Sequence, residues 1–410
     1  MGVIIRTIIL VALLFLIEFF FTKKALKVFR SVYPGFSEKK LRLLKYIVLV
    51  FFNLYPLFVV ILWSYQAIVH PVNFSFPQSK TIDYLLIYPF WFFILLVVQC
   101  ILLFLLVDII KLILFPFYKK HKNKIYPYEI RLLLIVLVFF TAYVPLRMYY
   151  DHSAVNIRKT EYVKKDLPDV LNNLRIVLIS DIHADRYTGR NRVLKFVRKI
   201  NSTNPGLVLI CGDFISSSPA YIDSVASYLG KINSKYGIYS CVGDHDNWAY
   251  RSDNQRSRRE ISEALDRKNI FMVDNDVRSL LIDSSKIDIT IVTETYSKRI
   301  SSSALDSLTS RGNSPGDLKI LLVHQPRDLI VDEAVIKNYD LLLAGHTHGG
   351  QITFLFPFLN LTPTQIETFK IKGDFYVGNL MMVITPGLGM SIAPVRYNST
   401  PEVTVIDIKR

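Results

Sequence analysis

Leu341-Leu342-Leu343-Ala344-Gly345-His346-Thr347-His348-Gly349-Gly350 decides how the second half of this chain is read. An apolar run of strand length ends at a glycine, and two histidines follow at once. A run this short and this apolar suits a strand buried on both faces of a sheet. The figure recurs upstream. Arg175–Ser180 leads into Asp181-Ile182-His183, Leu207–Gly212 into Asp213, Gly237–Gly243 into Asp244-His245-Asp246, and Leu318–Val323 into His324. Ile287–Thr293 is a further strand candidate. Helical patterns at Arg192–Ile200, Tyr221–Ile232, Arg256–Arg267 and Asp328–Lys337 lie between these runs. After Gly350 the pattern turns to strands and turns, through Glu402–Lys409. The alternation predicts βαβ units and an α/β sandwich of two packed sheets.

In open α/β sheets, sites form beyond the C-terminal ends of strands. The chain has eight histidines, and the five beyond His152 all fall at such ends: His183, His245, His324, His346 and His348. One buried histidine alone reads as a structural residue. Five on one sheet edge, beside Asp181, Asp213 and Asp244, read as a metal centre. Mixed carboxylate and imidazole ligands suit Mn, Fe, Zn or Co, and no thiolate set points to a softer metal.

Outward from this region, composition divides the chain in two. Its 410 residues are 51% hydrophobic, which excludes disorder, and three cysteines (Cys100, Cys211, Cys241) cannot form a disulfide scaffold. Cys211 and Cys241 read as buried thiols. The net charge is +15 and the mean hydropathy +0.31. Residues 1–150 hold 17 Lys+Arg against 5 Asp+Glu, whereas residues 151–410 hold 32 against 29. The basic excess therefore flanks the most apolar part, which is a membrane pattern and not a nucleic-acid-binding face.

Four apolar stretches, about Val3–Phe21, Tyr46–Val69, Tyr84–Val107 and Ile130–Tyr150, are each long enough to cross a hydrocarbon core of roughly 30 Å. Residues 1–150 are thus expected to form a four-helix, all-α transmembrane module. The first stretch also has the alternative of a signal peptide, but Phe19-Phe20-Phe21-Thr22-Lys23-Lys24 offers no small-residue cleavage site. Eight Lys/Arg between the first and second stretches, and Lys119, Lys120, Lys122 and Lys124 between the third and fourth, against Lys80 alone between the second and third, place the first and third loops in the cytoplasm. Whatever follows Tyr150 then lies on the exterior or periplasmic side of a multi-pass cell-membrane protein. Glu18, Asn53, Gln99 and Asp108 are polar within these stretches; Glu18 and Asp108 are read as lying near helix ends, within reach of headgroups and lysines.

Asp-Ile-His, Gly-Asp, Gly-Asp-His-Asp, His324 and Gly-His-Thr-His, in this order, resemble the motifs of the calcineurin-like metallophosphoesterases over roughly residues 155–410. GHTHGGQI at Gly345–Ile352, Pro386-Gly387-Leu388-Gly389, Arg396 and Pro401-Glu402 look like the membrane-associated bacterial branch. The resemblance implies a four-layer α/β/β/α sandwich at residues 173–410, with 151–172 as a linker and first edge segment. It implies Asp181, His183, Asp213 and His348 on one metal, and Asp213, Asp244, His324 and His346 on a second, with manganese among the metals that fit. Such a pair can hold a hydroxide and phosphoryl oxygens for in-line attack. His245 would protonate the leaving oxygen, with Asp246 holding its ring.

The implied activity is hydrolysis of a phosphodiester, phosphomonoester or pyrophosphate bond. The tether points to a substrate at the membrane surface, including lipid-linked ones, with membrane lipids as partners and no nucleic acid. Alternatives are a non-catalytic membrane sensor or scaffold that keeps the metal-binding fold, and a cytoplasm-facing nucleotide-diphospho-lipid pyrophosphatase. The chain departs from the family pattern at Asp244, where the family has Asn, and at Ser216, where many relatives carry an acidic or amide residue. A third aspartate lowers the charge of the ligand set and removes an amide donor, which weakens stabilisation of an anionic transition state.

Overall fold

The computed structural model describes residues 2–68, 79–312 and 316–410, so Val69, the end of the second apolar stretch, lies outside the described residues. The chain forms two compact units: Met1–Tyr149 with Phe354–Leu361, and Tyr150–Thr353 with Thr362–Arg410.

The first unit is built on long helices, Gly2–Val32, Glu38–Ile68, Tyr88–Ile113 and Phe115–Ser153. Among the described residues, three helical stretches, Glu38–Leu62, Lys80–Ile113 and Phe115–Ser153, are long and apolar enough to cross a membrane. Tyr88–Ile113 follows a π-helical turn at Asp83–Ile87. The last helix starts earlier than its apolar run. It takes in Lys119, Lys120, Lys122 and Lys124, read above as a loop, with one non-helical residue at His121. Lysine is a good helix former, so a charged segment continues the helix once its backbone is nucleated.

Glu18, Asn53, Gln99 and Asp108 all have partners. Asp108 pairs with Lys24 and Lys111, as expected for a carboxylate near a helix end. Glu18 does not lie near an end, because its helix continues to Val32; it is buried and accepts a hydrogen bond from Asn53. Gln99 bonds the backbone of Leu355.

The second unit has its strands in the order β1 (Asn156–Val163), β2 (Arg175–Ile179), β3 (Leu207–Ile210), β4 (Ile238–Ser240), β5 (Ile270–Met272), β6 (Asp276–Ile282), β7 (Ser285–Val292), β8 (Leu318–Val323) and β9 (Leu341–Ala344). The hairpin β10 (Phe354–Phe356) and β11 (Leu359–Leu361) belongs to the first unit. Then come β12 (Gly373–Val377), β13 (Leu380–Ile384) and β14 (Glu402–Lys409). One six-stranded sheet runs β1-β14-β2-β3-β4-β5 and the other β12-β13-β9-β8-β7-β6. In the first, β2 to β5 are parallel; in the second, β7, β8, β9 and β13 are parallel.

The two-residue period of a strand makes the layers. Ile176, Leu178, Leu207 and Leu209 point between the sheets, against Ile289, Ile320 and Leu343. Their neighbours Val177, Ile179, Val208 and Ile210 pack on helix Arg190–Asn201 and helix Ile222–Leu229. The former buries Val193, Phe196, Val197 and Ile200, one face at helical spacing. On the far side Leu321, Val323, Leu342 and Ala344 meet helices Ser302–Gly312 and Asp328–Ile336. The order is helix, sheet, sheet, helix, the expected four-layer sandwich. Each fully buried Leu, Ile or Val contributes about 1.5–3 kcal/mol, so three such cores hold the strand ends firmly in place.

Candidate metal centre

The parallel strands of both sheets bring their C-terminal ends to one edge, where every sequence-selected ligand residue lies. Asp181 and His183 follow β2, Asp213 follows β3, Asp244 and His245 follow β4, His324 follows β8, and His346 and His348 follow β9. The crossing needs tight backbone turns. Asp181, His183, Asp213, His346 and His348 all have positive φ, between 47° and 69°, a region that aspartate and histidine enter more readily than most residues. Gly345 lets the two sheets meet, since a Cβ there would stand 1.9 Å from Ser180 Oγ.

Two groups of ligand atoms result. In one, His183 Nε2 and His348 Nε2 are 3.1 Å apart, and Asp181 Oδ1 is 3.3 Å from His348 Nε2. In the other, Asp244 Oδ2 lies 3.0 Å from His346 Nδ1 and 3.3 Å from His324 Nε2. Asp213 Oδ2 stands between them, 3.3 Å from His183 Nε2 and 3.5 Å from His324 Nε2. Ligand atoms about 2.1 Å from a shared ion lie roughly 3.0–3.4 Å from one another at octahedral to tetrahedral angles, and these separations match. Asp181 Oδ1 and His324 Nε2 are buried with no hydrogen-bond partner among the described residues. Such orphaned atoms are costly unless something binds them, so the donor set fits a pair of cations.

Charges in the cluster are strongly coupled. Burial alone would raise the carboxyls of Asp213 and Asp244, yet the surrounding imidazoles hold both well below the usual carboxylate range. Burial opposes charge on His346, but Asp244 and Glu367 outweigh it and raise the imidazole to about 9. His324 is likewise raised by Asp213 and Asp244, whereas burial, with His183 and Arg396 nearby, pushes His348 well down.

His245 stacks edge-on against His183, ring centroids 4.5 Å apart, and burial lowers its imidazole. Its Nδ1 lies against the carbonyl oxygen of Ser216. The expectation that Asp246 holds this ring is therefore corrected. Asp246 accepts backbone N–H groups instead, from Asp213 (2.9 Å), Phe214 (2.8 Å) and Gly243 (2.8 Å). It ties the Gly-Asp loop to the Gly-Asp-His-Asp loop, and burial beside Asp213 pushes its carboxyl up to about 6.

Asp244, the departure from the family pattern, is matched by its surroundings. Its Oδ1 accepts Tyr296 N–H at 2.7 Å and its Oδ2 accepts Gln325 Nε2 at 2.6 Å. Gln325 cannot reverse its amide without loss, because its Oε1 accepts Arg327 Nε at 2.7 Å. Both oxygens of residue 244 thus face donors, and a carboxylate is the group that satisfies both.

Sequence reasoning did not select Gln325, Tyr296 or Glu367. Gln325 directly follows a ligand candidate, the one signal that could have marked it. Glu367 Oε2 stands 3.3 Å from His346 Nε2 and its Oε1 accepts Tyr296 OH at 2.8 Å. Arg396, noted only as part of a motif, is fully buried and donates to the carbonyls of Gly389, Pro386, His348 and Ser399 at 2.7–3.1 Å, pinning the turn that carries His348. Cys211 and Cys241 are buried free thiols. Arg186 donates to Tyr187 OH at 2.5 Å. Beside His346 opens a cleft of about 480 Å³, lined by Gln325, Arg327, Glu367, Phe369 and Lys370 among others.

Residues 174–350 match the model of the calcineurin-like phosphoesterase family. An uncharacterized metallophosphoesterase of Campylobacter jejuni is 27% identical over 315 residues, covering 74% of this chain and 76% of its own. An uncharacterized metallophosphoesterase of Bacillus subtilis is 29% identical, covering 62% of this chain and 86% of its own. A Bos taurus transmembrane protein with metallophosphoesterase domain is 31% identical over 58% of this chain, and this chain spans 53% of that protein. Residues 174–350 are therefore a domain of the calcineurin-like metallophosphoesterases, a family of phosphoric ester hydrolases that use two divalent metals, in a chain that also holds helices long and apolar enough to cross a membrane.

Proposed function

We propose that the protein is a multi-pass membrane phosphoesterase that hydrolyses a phosphodiester, phosphomonoester or pyrophosphate bond of a substrate met at the membrane, lipid-linked substrates included. The observation that carries this reading is the pair of ligand groups sharing Asp213. Asp181, His183, Asp213 and His348 would hold one ion, and Asp213, Asp244, His324 and His346 the other. Manganese, iron, zinc and cobalt all suit this set. Bound there, two divalent ions would supply Lewis acidity and make water acidic enough to attack phosphorus at neutral pH.

The chain's own residues do the rest. His245, once protonated on both nitrogens, keeps its Nδ1 proton on the Ser216 carbonyl and gives its Nε2 proton, 3.3 Å from Ser391 Oγ, to the leaving oxygen. Asp246 is a positioning residue that keeps Asp213 and His245 in register through backbone N–H groups. The cleft beside His346 is large enough to take part of the leaving group. The distribution of lysines supports four membrane helices with the metal centre outside the cytoplasm.

Purified full-length protein loaded with manganese should hydrolyse bis(p-nitrophenyl) phosphate and bind close to two metal ions per chain. Failure on that ester, on a monoester and on a lipid pyrophosphate alike would overturn the reading. Phe369→Cys, at the exposed rim of the cleft, should react with an impermeant thiol reagent in intact cells. Reaction only after lysis would reverse the orientation.

A further inference from the structure

The segment Phe354–Leu361 (FLFPFLNL) belongs by sequence to the hydrolase half, yet it packs as part of the helical unit. It is a short antiparallel hairpin pairing Phe354 with Leu361, Leu355 with Asn360 and Phe356 with Leu359. All its residues but Asn360 are apolar, and the tip residue Phe358 is fully exposed, with Leu359 half exposed beside it. Water is a poor surrounding for such a tip.

One contact shows what surrounds the hairpin. Gln99 is fully buried near the middle of Tyr88–Ile113. Its Nε2 donates to Leu355 O at 2.7 Å and its Oε1 accepts Leu355 N–H at 2.9 Å. A side-chain amide in the middle of an apolar helix is satisfying both polar groups of one strand residue. Within hydrocarbon, non-helical backbone is admitted only where protein supplies such partners, since water is not there to do so. In water the pair would be redundant. From Lys80, nineteen residues at 1.5 Å rise place Gln99 about 28 Å along a membrane-capable stretch of about 50 Å, near its middle.

We infer that Phe354–Leu361 is a re-entrant hairpin immersed in the lipid bilayer and docked by Gln99, and that it keeps the metal centre working on phosphoesters of lipid headgroups. Covalent reach supplies the second half of this statement. Five residues, Gly349 to Thr353, separate His348 from Phe354. At most about 3.3–3.6 Å of span per residue puts His348 within roughly 20 Å of the hairpin's start. The connection is also short of slack. Thr353 N–H donates to Tyr397 O at 2.8 Å and Thr362 Oγ1 donates to Gly350 O at 2.9 Å, so both stems are pinned beside the ligand turn. The substrate part of the inference rests on the phosphoesterase reading above; the immersion of the hairpin does not.

The test uses full-length protein in proteoliposomes, with Phe358→Cys carrying a nitroxide and Asp266→Cys as an exposed reference. Molecular oxygen should relax the Phe358 label strongly and a water-soluble nickel chelate should not, with the reverse at Asp266. In Gln99→Leu the Phe358 label should become open to nickel. Turnover is then compared on bis(p-nitrophenyl) phosphate and on a dioleoyl phosphatidyl ester of p-nitrophenol in the same bilayer. In Gln99→Leu the lipid-to-soluble rate ratio should fall at least about tenfold, as expected for lost positioning, with the soluble rate unchanged. A Phe358 label as open to nickel as Asp266, or shielded from both reagents by protein, overturns the inference, as does an unchanged rate ratio. Absence of turnover on both esters in the parent protein would strike the phosphoesterase reading, while the label accessibilities would still decide where the hairpin lies.

Discussion

Both units of this protein bury polar side chains, and they do so in opposite ways. In the helical unit Glu18 meets Asn53, Asp108 meets two lysines, and Gln99 meets a backbone amide. Each meeting brings a donor to an acceptor and lowers the cost of a polar group in an apolar setting. In the α/β unit, carboxylates and imidazoles converge as well, but some of their buried atoms lack such a partner among the described residues. His183 and His348 turn the same nitrogen towards one another, and Asp181 Oδ1 and His324 Nε2 find no hydrogen bond among the described residues. A buried polar group with its partner supplied is part of the architecture. A cluster whose partners are withheld is waiting for something from outside the chain.

If this contrast is right, disruptions in the two regions should differ in kind. The largest effect is expected at His245, the proposed proton donor. His245→Ala should lower kcat about 10²–10⁴-fold on a diester with an alkyl leaving group, and far less on a p-nitrophenyl ester, whose leaving oxygen needs little protonation. Equal losses on the two esters would remove His245 from the donor role.

Next come the residues that hold Asp244. Gln325→Leu should weaken metal binding or turnover about 10–100-fold, the usual cost of deleting a partner that orients a ligand. Asp244→Asn restores the family's residue but should lower both metal content and turnover, because an amide there presents N–H to the Tyr296 N–H or to Gln325. A gain in turnover would show that the extra carboxylate restrains the enzyme.

The smallest effect on catalysis belongs to the helical unit. Asn53→Leu leaves Glu18 without its donor and should cost about 1–3 kcal/mol of stability. Thermal melting of detergent-solubilised protein would read this. Turnover per folded molecule should be unchanged, and a change in turnover would blur the distinction between the two regions.

The candidate metal centre was legible because strand ends and candidate ligands coincide in sequence. Short runs such as Leu341–Ala344 end where His346 and His348 begin, and the backbone geometry that gathers them follows from the fold class. The partners of those ligands were less visible. Asp246 sits next to His245 and reads as its support, but the need of three backbone N–H groups for an acceptor is a property of two loops that meet only in space. β1 was legible only as an edge segment within 151–172, since its polar sequence gains strand form from parallel pairing with β14 at the far end of the chain. The hairpin Phe354–Leu361 read correctly as strand and turn, and still nothing local showed that it joins the helices, because Gln99 lies 256 residues away.

Five of the ligand candidates hold left-handed backbone conformations, each of which costs an L-residue about 1–2 kcal/mol. Together they are comparable to the whole net stability of many domains, and they cluster where like charges are also crowded. Ion binding and folding of this edge are then one linked equilibrium, in which metal draws the chain into a shape it would otherwise leave. In a cell short of the right metal, the amount of intact protein would fall along with the activity per molecule, and supply of the ion would set how much of the protein persists.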